Sequence, residues 1–111
     1  MGDIDTITGW HAHVYFDAER KEAARALCEA SAGRFGVAMG RMHDDPVGPH
    51  PTGSCQLSVP PGAFAEVIPW LALNRGELTV FAHAETGEHL ADHTQHVIWL
   101  GQSRPLDLSI F

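Results

Sequence analysis

The sequence is poor in basic residues and in cysteine, and it has no long apolar run. Lys and Arg number seven against fourteen Asp and Glu, so the formal net charge is -7 at pH 7. A partner that is bound through its phosphates, as nucleic acid is, is therefore not expected. Cys28 and Cys55 are too few for a disulfide framework and too far apart for a CxxC pair, which favours two reduced core residues. No stretch is long and apolar enough to cross a bilayer.

Length and composition fit one folded domain. A chain of 111 residues can bury one hydrophobic core but not two, and a hydrophobic share of 44% is typical of a globular protein. We therefore treat residues 1–111 as a single domain. The acidic residues 1–5 lack the basic and apolar segments of a signal peptide, so a cytoplasmic location is expected.

Histidine, by contrast, is frequent, with eight residues in the chain. Two of them lie in WHAHVYF at residues 10–16, where apolar and polar residues alternate with the period of a β-strand. His11, His13 and Tyr15 then share one face of the strand. Two histidines separated by one residue on a strand lie roughly 6–7 Å apart at the backbone, from where both can reach one metal ion. Two half-exposed surface histidines are the simpler alternative.

The rest of the pattern predicts alternating helices and strands. Residues 18–32 are rich in helix-forming residues and are followed by Gly33, a typical helix stop. A second helix follows the Pro60-Pro61-Gly62 turn and ends near Asn74, and Pro69 is expected to kink or split it. Further strands are predicted at residues 34–43, 54–59 and 77–83, and the tail has room for a short helical turn near Asp92 and a fifth strand.

The order βαββαβ is that of the ferredoxin-like fold, an α+β fold with a four-stranded antiparallel sheet and two helices on one face. The tail would form a C-terminal extension. The first strand of this fold lies between the third and the fourth, so the face without helices collects polar side chains from all three. These are His11, His13 and Tyr15 from the first strand, Gln56 from the third and His83 from the fourth.

Histidines that converge on one sheet face predict a metal centre or an acid-base site. The Pro-rich loop that carries His50 and the tail that carries His93 could both fold over this face. Asp92, next to His93, is a candidate ligand or a residue that orients one. An uncovered and partly apolar sheet face also favours a partner, so we expect a homodimer.

Six short segments of the chain together carry a family resemblance. They are WHAHVYF at 10–16, VGPHPTG at 47–53, LNRG at 73–76, His83 with TG at 86–87, DH at 92–93 and WLG at 99–101. In this order and with this spacing, they resemble the DOPA 4,5-dioxygenase family of fungi and bacteria. The resemblance extends from about Gly9 to about Gly101, and it is the combination, rather than any one segment, that is specific.

The resemblance implies a small ferredoxin-like enzyme that opens a catechol ring, such as that of DOPA, beside its hydroxyls with non-haem iron and dioxygen. Fe(II) is then the expected metal, and Zn could occupy the site in the purified protein. The polar strand face carries no carboxylate, in contrast to an iron site of two histidines and one carboxylate. The implied roles are metal ligation by His11, His13 and His83, acid-base chemistry by His50 and His93, and substrate contact by Tyr15, Gln56 and Arg75.

Two other interpretations fit the same residues. One is a dimeric ferredoxin-like enzyme or small-molecule binding protein in which the histidines hold an aromatic acid without a metal ion. The other is a metal-binding module without ring-cleavage activity, in which the histidines hold a structural zinc ion. In each case His43, His89 and His96 have no assigned task and are expected at the surface or in supporting positions.

Overall fold

A computed structural model, which describes residues Met1–Phe111, contains one antiparallel sheet of five strands. In chain order the strands are β1 (Gly9–Phe16), β2 (Ala38–Met39), β3 (Gly53–Val59), β4 (Thr79–Glu85) and β5 (Val97–Leu100). They lie side by side in the order β2-β3-β1-β4-β5, so β1 lies between β3 and β4, as predicted. The three α-helices are α1 (Lys21–Phe35), α2 (Phe64–Asn74) and α3 (His89–Thr94).

The hydrophobic core lies between one face of this sheet and the helices α1 and α2. Every second residue of the central strands points into it, because successive side chains of a strand point to opposite faces. Both cysteines are reduced and buried there, as expected. The strands contribute Ala12, Val14, Phe16, Cys55, Leu57, Val59, Val80 and Ala82, and the helices contribute Ala24, Leu27, Cys28, Val67 and Leu71.

The sheet has one strand more than the predicted four-stranded ferredoxin-like arrangement. β5 pairs with β4 between the pairs Val80–Leu100 and His83–Val97. The predicted helical turn near Asp92 is α3, which connects these two strands. The C-terminal extension is therefore partly an extension of the sheet itself.

Two elements differ in length from the prediction. α1 continues through Gly33 and ends at Phe35, followed by Gly36, whose φ of 69° lies in the left-handed region that glycine adopts at little cost. The helix thus takes up the start of the strand predicted at residues 34–43. Only the two residues of β2 pair with β3 as a regular strand, and His43 adds one isolated antiparallel bridge to Ser54.

Pro69 lies inside α2 without splitting it, since the helix is continuous from Phe64 to Asn74. A proline lacks the N–H that would bond the carbonyl four residues earlier. That carbonyl belongs to Ala65, and both residues are exposed, so water can take the missing donor's place. The proline therefore leaves no buried carbonyl without a partner.

The second sheet face, expected to be uncovered, is covered by the chain's own loop and tail. Tyr15 is 2% exposed and Phe81 is fully buried on this face. The loop between β2 and β3 is joined to the tail by the hydrogen bond from Asp107 N–H to the Pro49 carbonyl, at 2.9 Å. The covered face is where the predicted site residues lie. None of the helices has the length and apolar character that a membrane crossing requires.

Candidate metal centre

Three histidines meet at one end of the covered sheet face. His11 and His83 are paired residues on β1 and β4, and His13 follows two positions along β1 on the same face. One ring nitrogen from each of the three lies within 4.8 Å of the other two. His13 and His83 are buried, at 4% and 1% exposure, whereas His11 is half-buried. The strand period thus brings together the three predicted ligands.

The spacing of two of these rings suits a common metal ion. The Nε2 atoms of His13 and His83 lie 3.1 Å apart. Two nitrogens that each bind one metal ion at about 2.0–2.1 Å are separated by about 2.8–3.4 Å, from octahedral to tetrahedral geometry. Without a metal ion the same distance allows an N–H to N hydrogen bond between the rings. The donor set, neutral nitrogen with no thiolate, suits iron or zinc.

Glu85 is a site residue that the sequence interpretation missed. Its Oε1 lies 3.0 Å from Nδ1 of His11 and 3.4 Å from Nδ1 of His83. The statement that the polar strand face has no carboxylate is therefore wrong, because β4 continues to Glu85, two residues beyond His83 and on the same face. The signal was present in the period of two, but the predicted strand ended at His83. A carboxylate in this position orients imidazole ligands through their second nitrogen.

His50 and His93 complete a stack of four imidazole rings, here called the imidazole column. In order, its members are His50, His13, His83 and His93. Their ring centroids are separated by 4.0, 5.2 and 4.0 Å. Phe111 of the tail lies against His93 with a centroid distance of 4.5 Å. Loop and tail therefore do bring the two predicted acid-base residues to the site.

Burial lowers the pKa of three histidines of the column, His50, His13 and His83. The pKa of His50 and of His83 is lowered to about 4, and that of His13 lies well below its ordinary value. Loss of hydration is the main cause, and the neighbouring imidazoles add to it because like charges repel. These rings are therefore neutral at pH 7, the state in which imidazole binds a metal ion.

The three predicted substrate contacts have different surroundings. The Tyr15 hydroxyl lies 2.7 Å from Nδ1 of His50, and burial raises its pKa above the ordinary value. Gln56 is the cross-strand partner of His13, and its side-chain amide donates to Ser58 Oγ at 3.1 Å. Both belong to the region around the column.

Arg75, in contrast, is placed at the other end of the sheet. Its Nη1 donates to the Leu78 carbonyl at 3.0 Å, just before β4 begins, whereas Glu85 ends that strand. The two ends are roughly 20 Å apart at about 3.3 Å per residue. Gly101 packs directly on the guanidinium, since a Cβ at this position would lie 2.9 Å from Nη1. Arg75 is thus held by the scaffold, away from the three histidine ligands.

Asp92, the candidate ligand or ligand-orienting residue, is buried, but its carboxylate forms hydrogen bonds with none of the three clustered histidines. Its carboxylate accepts hydrogen bonds from Thr86 N–H and Oγ1 at 2.8 and 2.6 Å, and from His96 Nδ1 at 2.8 Å. These bonds tie the turn after β4 to α3 and β5. His96 therefore has a supporting role, and His89 is exposed, both as expected.

A cleft of about 570 Å³ reaches this site from the end of the sheet. His11 and Glu85 lie on its wall together with Trp10, Ser58 and Pro60. The half-buried ligand His11 thus lies between the cleft and the buried column. Fold and site together define a small α+β protein with a cluster of three histidines, His11, His13 and His83, that could hold one metal ion.

Comparison with known proteins identifies the family. The profile of the Dopa 4,5-dioxygenase family matches residues 10–110, nearly the whole chain. The chain is 40% identical over 112 residues to the DOPA 4,5-dioxygenase of Amanita muscaria, covering 93% of this chain and 49% of that protein. It is 38% identical over 110 residues to an uncharacterized 21.2 kDa protein of Botryotinia fuckeliana, covering 88% and 60%. The chain therefore belongs to the Dopa 4,5-dioxygenase family, and it spans about half the length of the Amanita relative.

A solved structure agrees with this assignment. A crystal structure from Nostoc punctiforme, described as a "putative dioxygenase", matches with a TM-score of 0.94 and 43% identity. The match covers 96% of this chain and 93% of the other. The five-stranded fold described above is thus shared along almost the full length of both chains.

Proposed function

We propose that this chain is an extradiol dioxygenase, which opens the ring of a catechol beside its hydroxyls with non-haem iron and dioxygen. The observation that carries the proposal is the convergence of His11, His13 and His83, with ligand nitrogens within 4.8 Å of one another. Membership of the family and the dioxygenase name of the Amanita relative support it. Because that relative is named for DOPA, DOPA is the first substrate to test.

The three histidines would hold Fe(II) through neutral ring nitrogens, and Glu85 would orient two of them from behind. When bound, iron of this kind brings catecholate and dioxygen together and lets electrons pass between them. Zinc suits the same nitrogens and could occupy the site in the purified protein, without the redox chemistry.

The other residues of the site would handle the substrate and its protons. His50 and His93 lie at the two ends of the imidazole column, each 4.0 Å in ring-centroid distance from a ligand histidine. They are the proposed acid-base pair, since a positioned imidazole can take a catechol proton and return one to the product. Tyr15 and Gln56 are proposed substrate contacts next to them. Arg75 could contact substrate only after its hydrogen bond to the Leu78 carbonyl breaks. We therefore propose only a minor role for Arg75 in substrate binding.

The experiment is anaerobic loading of the purified protein with ferrous iron, followed by a panel of catechols that includes DOPA in air. Formation of a visible ring-cleavage chromophore that requires iron is the expected result. His13→Ala removes a buried ligand and should lower the rate by at least roughly 100-fold, since even an outer residue of a metal site contributes 10–100-fold. His89→Ala, an exposed histidine on α3, is the matched control and should leave the rate unchanged.

If the protein binds iron stoichiometrically but consumes no catechol, the dioxygenase proposal fails. A metal-binding protein without ring-cleavage activity would then be the better description. If it binds neither iron nor zinc, a metal-free site for an aromatic acid becomes the leading explanation.

The homodimer and the cytoplasmic location remain predictions. The dimer was expected because one sheet face would be uncovered. The loop and the tail cover that face, so this argument for a dimer no longer applies. Apolar side chains of the tail are still exposed, with Ile110 at 54% and Phe111 at 41%, and these could form an interface. Light scattering coupled to size exclusion would give the mass in solution.

A further inference from the structure

The two outer rings of the imidazole column are held through the same atom by partners of different chemistry. Nδ1 of His93 lies 2.7 Å from the backbone carbonyl of His89. Nδ1 of His50 lies 2.7 Å from the hydroxyl of Tyr15. A neutral imidazole carries its single proton on one nitrogen only, so each partner decides which nitrogen that is.

The tautomer of His93 follows directly from its partner. A carbonyl oxygen accepts hydrogen bonds and cannot donate them, so Nδ1 of His93 must carry the proton. Its Nε2 is then left with a free lone pair. This arrangement is built into α3, because His89 lies one helical turn before His93.

The tautomer of His50 follows from the surroundings of Tyr15. Tyr15 is 2% exposed, and Nδ1 of His50 is the only hydrogen-bond partner that the structure gives its hydroxyl. If Nδ1 of His50 donated, the hydroxyl proton would be buried without an acceptor, at a cost of about 1–3 kcal/mol. The hydroxyl therefore donates to Nδ1, and the proton of the neutral ring lies on Nε2.

We propose that His50 and His93 hold opposite tautomers, so that His93 Nε2 is the proton acceptor of the site and His50 Nε2–H its hydrogen-bond donor. Tyr15 is then the residue that positions the proton of His50. The catalytic roles given to these two tautomers rest on the proposed function. His93 Nε2 takes the proton of a catechol hydroxyl and later returns it to the ring-opened product. His50 keeps its proton and donates a hydrogen bond to an oxygen of the bound ligand.

The test is heteronuclear NMR of the isotopically labelled protein, before and after addition of zinc, which is diamagnetic. Couplings between ring nitrogens and ring protons identify the tautomer of each neutral histidine. We expect the proton on Nδ1 in His93 and on Nε2 in His50. Either ring in the opposite tautomer overturns the proposal, and this reading needs no variant.

A variant isolates the part played by Tyr15. Tyr15→Phe removes only the hydroxyl and should leave His50 as a mixture of tautomers while His93 is unchanged. Thr79→Val is the matched control, because Thr79 is the buried cross-strand neighbour of Tyr15 and also loses one hydroxyl. If Tyr15→Phe folds, as judged from its amide spectrum, and His50 keeps one tautomer, Tyr15 does not position it.

Failure of this inference is distinguishable from failure of the proposed function. The tautomers are read without catechol or dioxygen, so an inactive protein could still show them. In an active protein Tyr15→Phe should lower kcat by roughly 10–100-fold, with iron affinity unchanged. Catechol cleavage with reversed tautomers would leave the dioxygenase in place and remove only the acceptor and donor assignment.

Discussion

Glu85 Oε1 contacts Nδ1 of both His11 and His83, at 3.0 and 3.4 Å, so one carboxylate serves two residues of the metal centre. The two rings belong to neighbouring strands, and they are directly paired in the β1–β4 register. Nδ1 of His83 donates to the Ala84 carbonyl at 3.2 Å, which keeps the proton there and leaves Nε2 free for a metal ion, and the Glu85 carboxylate adds a negative charge beside the same nitrogen. This shared carboxylate leads to the first prediction.

Glu85→Gln should weaken metal binding by roughly 10–100-fold, because the neutral amide supports the two imidazoles less strongly than a carboxylate does. Zinc affinity can be measured by competition with a chromophoric chelator. Glu88→Gln is the matched control, since Glu88 is exposed and has no contact with the imidazole rings in the structure. Equal affinities for Glu85→Gln and the unaltered protein would show that the carboxylate has no such part.

The metal-free protein should lose stability as the pH falls from about 6.5 towards 4. In the folded state the pKa of His50 and His83 is about 4, whereas in the unfolded chain it is near 6.5. Between these values the unfolded state binds more protons, so the free energy of unfolding decreases with falling pH. The total loss is on the order of a few kcal/mol, since one pKa unit corresponds to about 1.4 kcal/mol.

Urea unfolding at a series of pH values checks this dependence. His50→Gln removes one of the two groups and should flatten the curve between pH 4 and about 6.5. A curve that is already flat in the unaltered protein would contradict the lowered pKa values.

Asp92→Asn should destabilise the fold by about 1–3 kcal/mol at pH 7, because the buried amide cannot accept all the bonds now made by Thr86 and His96. Burial alone would raise the pKa of Asp92, but these hydrogen bonds outweigh it and lower the pKa. The stabilisation is therefore present at neutral pH and lost as the pH falls through the folded pKa. Thermal unfolding of Asp92→Asn beside Asp107→Asn, an exposed tail residue, provides the comparison.

Gly53→Ala should cost about 1–3 kcal/mol and disturb the loop that carries His50. A Cβ at Gly53 would lie 2.9 Å from the His43 carbonyl and 3.0 Å from the Phe16 carbonyl, and backbone atoms cannot move aside independently. Gly62→Ala is the control, because nothing lies within 4 Å of a Cβ there. Chemical denaturation of both variants gives the difference, and similar values would show that β3 can shift to make room.

Most of the correct sequence predictions came from the alternation of apolar and polar residues along the strands. It placed His11, His13 and Tyr15 on one face of β1 and His83 on the same face of β4, and with the order of elements it placed β1 between β3 and β4. This was enough to predict that the three candidate ligands meet, because neighbouring strands bring their side chains together through regular backbone hydrogen bonds.

The remaining features depend on contacts between distant parts of the chain. Glu85 was missed because pairing with Gly9 extends β4 beyond the apolar run from which the strand was predicted. Asp92 was a candidate ligand or ligand-orienting residue, yet its carboxylate bonds His96 Nδ1, four positions on, between the end of α3 and the start of β5. The position of the Arg75 guanidinium depends on its packing against Gly101. No local sequence pattern links these two positions.

The imidazole column also limits how much positive charge the site can hold. A proton on any one of the four stacked rings raises the energy of a second proton on its neighbours, since the rings are close and poorly hydrated. The column then behaves as one titrating unit, and an apparent pKa measured for it belongs to the set of rings rather than to one histidine. Proton uptake by one ring therefore opposes proton uptake by the ring stacked on it.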